Sequence, residues 1–110
     1  MNIDNSFVVL KNENLKQAME AISANQKGAV LVSDDSGVII GILSDGDIRR
    51  AILRESTLLT PVEKILNTNF FFCSADTENM AAEIFSNNPG ITILPILSKD
   101  NKLVKVLTRS

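Results

Sequence analysis

The chain has 110 residues, 45% of them hydrophobic, and a formal net charge of −2. That length suits one compact domain, or two small halves sharing one core, rather than two domains with independent cores. The scattered lysines and arginines form no basic stripe for a phosphate backbone, and the absence of histidine removes His-based general-base, triad and zinc chemistry.

In chain order, residues 1–4 have neither the basic region nor the apolar run of a secretory leader, and no stretch approaches membrane-spanning length, so a soluble intracellular protein is expected. Residues 7–10 are a short β-prone run. Asn12 is placed to cap a helix whose Leu15, Ala18, Met19 and Ile22 recur at i, i+3, i+4 and i+7, one apolar face for a core. Gly28 closes that helix, residues 29–32 read as a buried strand, and Asp34-Asp35-Ser36-Gly37 is a hairpin turn. Residues 38–43 are apolar or β-branched at nearly every position, the pattern of a strand buried on both faces. Ser44-Asp45-Gly46-Asp47 then breaks the run with turn chemistry, and Ile48, Ala51 and Ile52 follow at helical spacing with Arg49 and Arg50 between them. Ligands commonly sit at the carboxyl ends of such strands, beside helix N-termini, which makes this junction the candidate site.

Thr60-Pro61-Val62-Glu63 combines a cap, a proline for the first helical position and a capping-box glutamate, predicting a short helix over residues 61–66. Residues 70–73 read as a strand ending at the single cysteine, Cys73, whose apolar setting predicts a buried structural thiol. One cysteine excludes an internal disulfide and fits a reducing cytosol. Asp76 is placed to cap a helix over Met80, Ile84 and Phe85, which Asn88-Pro89-Gly90 ends. Residues 91–97 and 103–107 read as strands joined by a Lys99-Asp100-Asn101 turn.

The second half repeats the first. Ile39-Ile40-Gly41-Ile42-Leu43-Ser44 falls on Leu103-Val104-Lys105-Val106-Leu107-Thr108 in the same apolar rhythm, and residues 29–32 fall on 93–96 at the same offset. The expected fold class is therefore mixed α/β (α+β): tandem β-α-β-β-α repeats packed with pseudo-twofold symmetry, the second repeat lacking its last helix. The first repeat is placed at residues 1–56, a connector with a short helix at 57–69, and the truncated second repeat at 70–110. Because the chain stops at Ser110, apolar surface near Leu103, Val104 and Leu107 is expected to lose part of its cover and to be buried by pairing into a homodimer.

With Gly41-Ile42-Leu43-Ser44-Asp45-Gly46-Asp47-Ile48 in the first copy, this tandem repeat resembles the CBS domain pair, or Bateman module, over essentially the whole chain. Pro61-Val62-Glu63-Lys64-Ile65-Leu66 is similar to the family's stretch between repeats, and Leu94-Pro95-Ile96 to its Leu-Pro-Val strand. The resemblance implies a regulatory ligand such as AMP, ADP or ATP, with no other cofactor, no metal and no catalytic residue. It implies Ser44 and Asp47 as ligand-binding residues, the hydroxyl turned to a phosphate and the carboxylate to two ribose hydroxyls, chemistry these groups suit. The helix N-terminus at Ile48 to Arg50 would add positive potential, with Arg49 and Arg50 counted among the ligand-binding residues, and Thr108 stands in the second copy where Ser44 stands in the first. Gly46 departs from the basic residue of many nucleotide-binding copies, Asp45 adds negative charge beside the phosphate, and Lys105 replaces the second glycine. Ser44-x-x-Asp47 also satisfies the capping-box pattern, which needs no ligand.

The Ser-Asp-Gly-Asp-Ile-Arg-Arg form is similar to that of CBS pairs fused to sugar-phosphate isomerases, where the pair follows the catalytic domain, and to sugar-nucleotide transferases, where it comes first. If Met1 is the native start, the transferase arrangement is favoured. The expected function is a non-catalytic regulatory module that senses an adenine nucleotide or related ligand for an attached catalytic domain, a sugar-nucleotide transferase. The alternative is an interaction module that holds subunits together with no small-molecule ligand. The resemblance also implies pairing of two modules into a flat disk, with no nucleic-acid or membrane partner.

Overall fold

The computed structural model describes residues 5–109; residues 1–4 and Ser110, on which the expectations about a leader and about the end of the second repeat bear, lie outside them. Strand β2 (Ala29–Ser33) organises the first half, all five of its residues being buried. Strand β1 (Val8–Leu10) pairs parallel along one edge of it and β3 (Ile39–Ser44) antiparallel along the other. Successive side chains of a strand point to opposite faces, so β2 feeds two cores. Val30 and Val32 pack with Leu15, Ala18 and Ile22 of α1 (Leu15–Asn25) and with Ile48 and Ala51 of α2 (Asp45–Leu53). Ala29 and Leu31 pack instead with Ile93 and Leu97 of the second half.

Strand β5 (Ile93–Leu97) has the same place in a second sheet, between parallel β4 (Cys73–Ser74) and antiparallel β6 (Leu103–Thr108). Its Leu94 and Ile96 join Cys73 and the Ala81, Ile84 and Phe85 of α3 (Ala81–Asn87). The layers run helices, sheet, sheet, helix, with one apolar core shared between the sheets. The two sheets are equivalent residue for residue: Ala29 opposite Ser44 matches Ile93 opposite Thr108, and Val9 opposite Val32 matches Cys73 opposite Ile96, a constant displacement of 64 residues. Even the irregularity repeats, with a register shift after Val32 and again after Ile96, so the repeat alignment and the mixed α/β tandem fold are as the sequence implied. Fully burying one large aliphatic side chain contributes roughly 1.5–3 kcal/mol. Leu31 and Ile93, at 0% and 1% exposure, each lie against residues of the opposite half, so neither sheet could keep that contribution alone.

Several local expectations are corrected. The helix cap is Asn14, not Asn12: its side chain accepts the Gln17 N–H at 2.9 Å while the Gln17 side chain accepts the Asn14 N–H, also at 2.9 Å. Met19 is 43% exposed, because the buried stripe of α1 runs through Leu15, Ala18 and Ile22. It is β2 and β5 that are buried along their whole length; β3, an edge strand, alternates buried with half-buried positions. No turn separates β3 from α2. The strand ends at Ser44 and the helix begins at Asp45. The helix expected over 61–66 is a single 3-10 turn, Val62–Lys64, capped by Pro61 with no side-chain hydrogen bond. The strand expected over 70–73 is only Cys73–Ser74, since Phe70 turns into the inter-sheet core while Phe71 and Phe72 are each 51% exposed. Ser74 rather than Asp76 caps the following segment, a 3-10 stretch over Ala75–Met80 that runs into α3, and Thr77 returns the bond to the Ser74 N–H at 2.9 Å. The two hairpin turns are as expected; Asp34 Oδ1 accepts the Ser36 and Val38 N–H groups, and Gly37 supplies the positive φ of 87°.

The connector is part of the first half. Its backbone runs beside the entry to α1, with Leu15 N–H donating to the Thr60 carbonyl and Val62 N–H to that of Glu13, and the Val62 side chain is fully buried. Further on it covers the free edge of β3: Ile42 and Asn67 exchange both backbone hydrogen bonds, at 2.9 and 2.8 Å. An uncovered sheet edge invites pairing with other chains, so this contact also protects the fold. Gly41 makes the approach feasible, because a Cβ there would sit 2.5 Å from Leu66 Cδ1 and 2.8 Å from the Asn67 carbonyl oxygen. Gly41→Ala should accordingly lower stability by about 1–3 kcal/mol through overpacking, read as a lower urea midpoint at unchanged slope. An unchanged midpoint would show that the connector is free to move away.

Candidate functional site

The site starts where β3 meets α2. Ser44 is the N-cap of α2, its Oγ accepting the Asp47 N–H at 3.2 Å. Asp47 Oδ2 accepts the Ser44 N–H and the Ser44 hydroxyl, both at 3.0 Å, and Asp47 Oδ1 accepts from Arg50 Nη2 at 2.7 Å. The capping-box pattern seen in the sequence is therefore made in full, and Asp45 and Asp47 both lie in the first turn, where the helix dipole favours negative charge. A carboxylate offers about four lone-pair positions. Three are used here, which leaves Oδ1 one position for a ligand hydroxyl without any rearrangement. A second hydroxyl, or a phosphate drawing on Ser44, would have to displace the proton that Ser44 now directs at Asp47.

Ser44 and Asp47 line a cleft of about 320 Å³ whose other walls come from Lys27 and Ala29 at the start of β2, Ile42 of β3, Asn67 of the connector and residues 90–93 ahead of β5. An adjoining recess of about 220 Å³ shares Ile42, Asn67, Ile91 and Ile93 and ends at Phe70 and Phe71. Together they form one groove, polar at the Ser44–Asp47 end and apolar and aromatic at the other.

Its two walls belong to different halves and are tied together. Thr92 Oγ donates to the Lys27 carbonyl, and Lys27 Nζ donates to the Arg109 carbonyl at 2.8 Å. The Arg109 guanidinium gathers the segment that leads into the groove: Nε donates to Ile91 O at 2.8 Å, and Nη2 to Phe85 O at 2.7 Å and Asn88 O at 3.0 Å. It also lies over the Phe85 ring, 5.0 Å from the centroid. A cation at the carbonyl end of a helix satisfies acceptors that have no intrahelical partner, so Arg109 both ends α3 and fixes the wall.

Of the residues expected at the site, Ser44 and Asp47 are brought together in the groove, and Arg50 reaches it only as the ion-pair partner of Asp47. Arg49 is exposed and does not line the groove. Thr108 is exposed at the end of β6, opposite Ile93, outside the lining although it matches Ser44 in the repeat. Sequence reasoning missed Lys27, Asn67, Ile91, Thr92 and Arg109. The repeat itself held a signal for three of these: Ile91 and Thr92 match Lys27 and Gly28 at the displacement of 64 residues, so the residues ahead of β2 and β5 face each other. Asn67 had none, since it reaches the groove through an isolated bridge outside any periodic element.

The CBS domain family profile matches residues 2–54. The chain is similar to arabinose 5-phosphate isomerase GutQ of Salmonella typhi, 28% identical over 95 residues that make up 86% of this chain and 30% of that protein. Among solved structures it is similar to the AcuB protein of Vibrio cholerae (TM-score 0.81, 23% identity, 98% of this chain and 80% of that one). It is also similar to the CBS domain protein PAE2072 of Pyrobaculum aerophilum, complexed with AMP (TM-score 0.75, 17% identity, 92% and 78%). Residues 2–54, which include the Ser44–Asp47 junction, match the CBS domain family, and the whole chain, with two equivalent sheets sharing a core, has the fold of these solved structures. It spans about 30% of the length of the GutQ relative.

The capping role is separable from any ligand. Asp47→Ala and Ser44→Ala should each destabilise the protein by about 0.5–2 kcal/mol in the absence of ligand. The exposed Arg50 partner should add little to the Asp47 value. Thermal unfolding measures both; two variants as stable as the parent would mean that the box contributes nothing to α2.

Proposed function

We propose that this chain is a non-catalytic regulatory module that binds an adenine nucleotide, AMP, ADP or ATP, in the groove between its halves. The observation that carries this reading is the polarity of the groove. At one end stand a carboxylate and a hydroxyl suited to a ribose diol and a phosphate, with Lys27 also lining the cleft. At the other, Ile42, Ile91 and Phe71 offer apolar and aromatic surface for a base. The AMP in the PAE2072 complex supports the ligand class. Arg49 and Thr108 have no assigned contact in this reading. Regulation would follow if the nucleotide bound two arrangements of the module with different affinity.

The attached catalytic domain is proposed to be of the sugar-phosphate isomerase type. The similarity to GutQ favours it over the sugar-nucleotide transferase expected from the position of Met1. A cytoplasmic setting fits a single free, buried Cys73; among the described residues no helix is long and apolar enough to cross a membrane. Calorimetry should find a Kd between micromolar and millimolar, about −8 to −4 kcal/mol, for at least one of the three nucleotides. Removing a hydrogen-bonding side chain costs about 1–3 kcal/mol where the partner is left unsatisfied, so Asp47→Ala should weaken binding by roughly tenfold or more. Equal affinity in parent and variant would take Asp47 out of the site.

A second reading, that the module mainly holds two copies together, is favoured by apolar residues that the fold leaves open. Leu53 is 78% exposed and Leu59 75%, with Ile52 and Leu58 nearby at 41% and 45%. The patch expected near Leu103, Val104 and Leu107 is smaller, only Val104 being classed as exposed, at 41%. Isolated surface leucines are ordinary, but four large apolar side chains left open within eight residues of sequence favour an interaction surface. Sedimentation at tens of micromolar should show a homodimer that Leu53→Ser with Leu59→Ser weakens. A parent that stays monomeric over that range would contradict this reading.

A further inference from the structure

A separate cleft of about 410 Å³ lies between α2 and the connector and shares only Asp47 with the groove. Asp47, Arg50, Ala51 and Arg54 form its helical wall, at the i, i+3, i+4 and i+7 spacing that places residues on one face. Lys64 and Leu66 form the facing wall, with Ser56 at the turn between. Arg50, Arg54 and Lys64 thus surround one space with a single carboxylate among them, an excess of positive charge on a chain whose net charge is −2. Among the described residues only Arg50 of these three is paired, to Asp47. The Arg54 and Lys64 side chains have no hydrogen bond or ion pair among the described residues. The acids next to them in sequence, Glu55 and Glu63, are exposed and outside the lining.

Three cations against one carboxylate match a dianion, and the planar guanidinium fork suits phosphate oxygens. The volume falls in the range of small-molecule sites, larger than a lone ion needs. Ala51 on one wall and Leu66 on the other give apolar surface for the carbon skeleton that carries the phosphate. The geometry points to a binding site for a phosphate monoester in this cleft, held by Arg50, Arg54 and Lys64. The site is distinct from the proposed nucleotide groove and does not depend on that reading.

The test is a titration of the isotope-labelled protein followed by amide NMR, with inorganic phosphate and with ribose 5-phosphate, against sodium chloride at matched ionic strength. Saturable shifts are expected at Arg54, Ser56, Lys64 and Leu66 with both phosphates and not with chloride, tighter for the ester. Arg54→Gln with Lys64→Gln replaces two exposed side chains that make no hydrogen bond or ion pair among the described residues, and its spectrum reports directly whether the fold is kept. Its phosphate affinity should fall about tenfold or more, as expected for losing charged hydrogen bonds. Shifts that never saturate, that chloride reproduces, or that persist with the same affinity in the double variant would overturn the site. If the ester shifts only the groove residues Ser44, Asn67 and Ile91, it binds there and the cleft is not its site.

Discussion

The structure depends on apolar burial between two three-stranded sheets. Ala29, Leu31 and Ile39 of one sheet pack against Ile93 and Leu97 of the other, with Phe7, Phe70 and Val106 closing the sides. Each half also has its own core against helices, yet the central strands β2 and β5 are buried on both faces only because the other half is present. At 110 residues that shared layer is what lets so small a chain bury enough surface. It also fixes Ile42 and Ile93 on facing walls, so the groove is a by-product of how the two sheets must pack.

Polar groups around the groove are mostly satisfied within the protein, and this shapes what a ligand could do there. Ser44 and Asp47 complete a capping box, Thr92 holds the Lys27 carbonyl, and Arg109 collects three carbonyls at the end of α3. Buried donors and acceptors left unpaired are costly, so such closure is what a stable unliganded module requires. A ligand must then either use a spare lone pair, as at Asp47 Oδ1, or exchange one bond for another, as at the Ser44 hydroxyl. Exchange of that kind gives modest affinity.

The repeat and the two hairpins were legible because short apolar runs bounded by turn residues recur in the same rhythm at the same displacement in both copies. The Ser44–Asp47 pair was legible because capping boxes have a fixed three-residue spacing. Element starts were not: Asn12 and Asn14 are equally good caps by residue type, and the choice was made by Gln17, which returns the bond to Asn14. The phenylalanine run read as a strand because its residues favour β structure, but β4 has a pairing partner only from Cys73 onward. Arg109 and Asn67 act through single long-range contacts to backbone groups, which no local pattern announces. Arg50 was expected in the ligand site, but it pairs with Asp47 and lines another cleft, a choice set by the i, i+3 spacing of the two side chains.

The central claim is that one groove recognises both ends of an adenine nucleotide. Intermolecular nuclear Overhauser contacts between AMP and the protein test it most directly. The account predicts contacts from the base protons to the methyl groups of Ile42 and Ile91 and to the Phe71 ring, with ribose protons close to Ser44 and Asp47. Saturable AMP binding whose base protons contact none of these residues would contradict it.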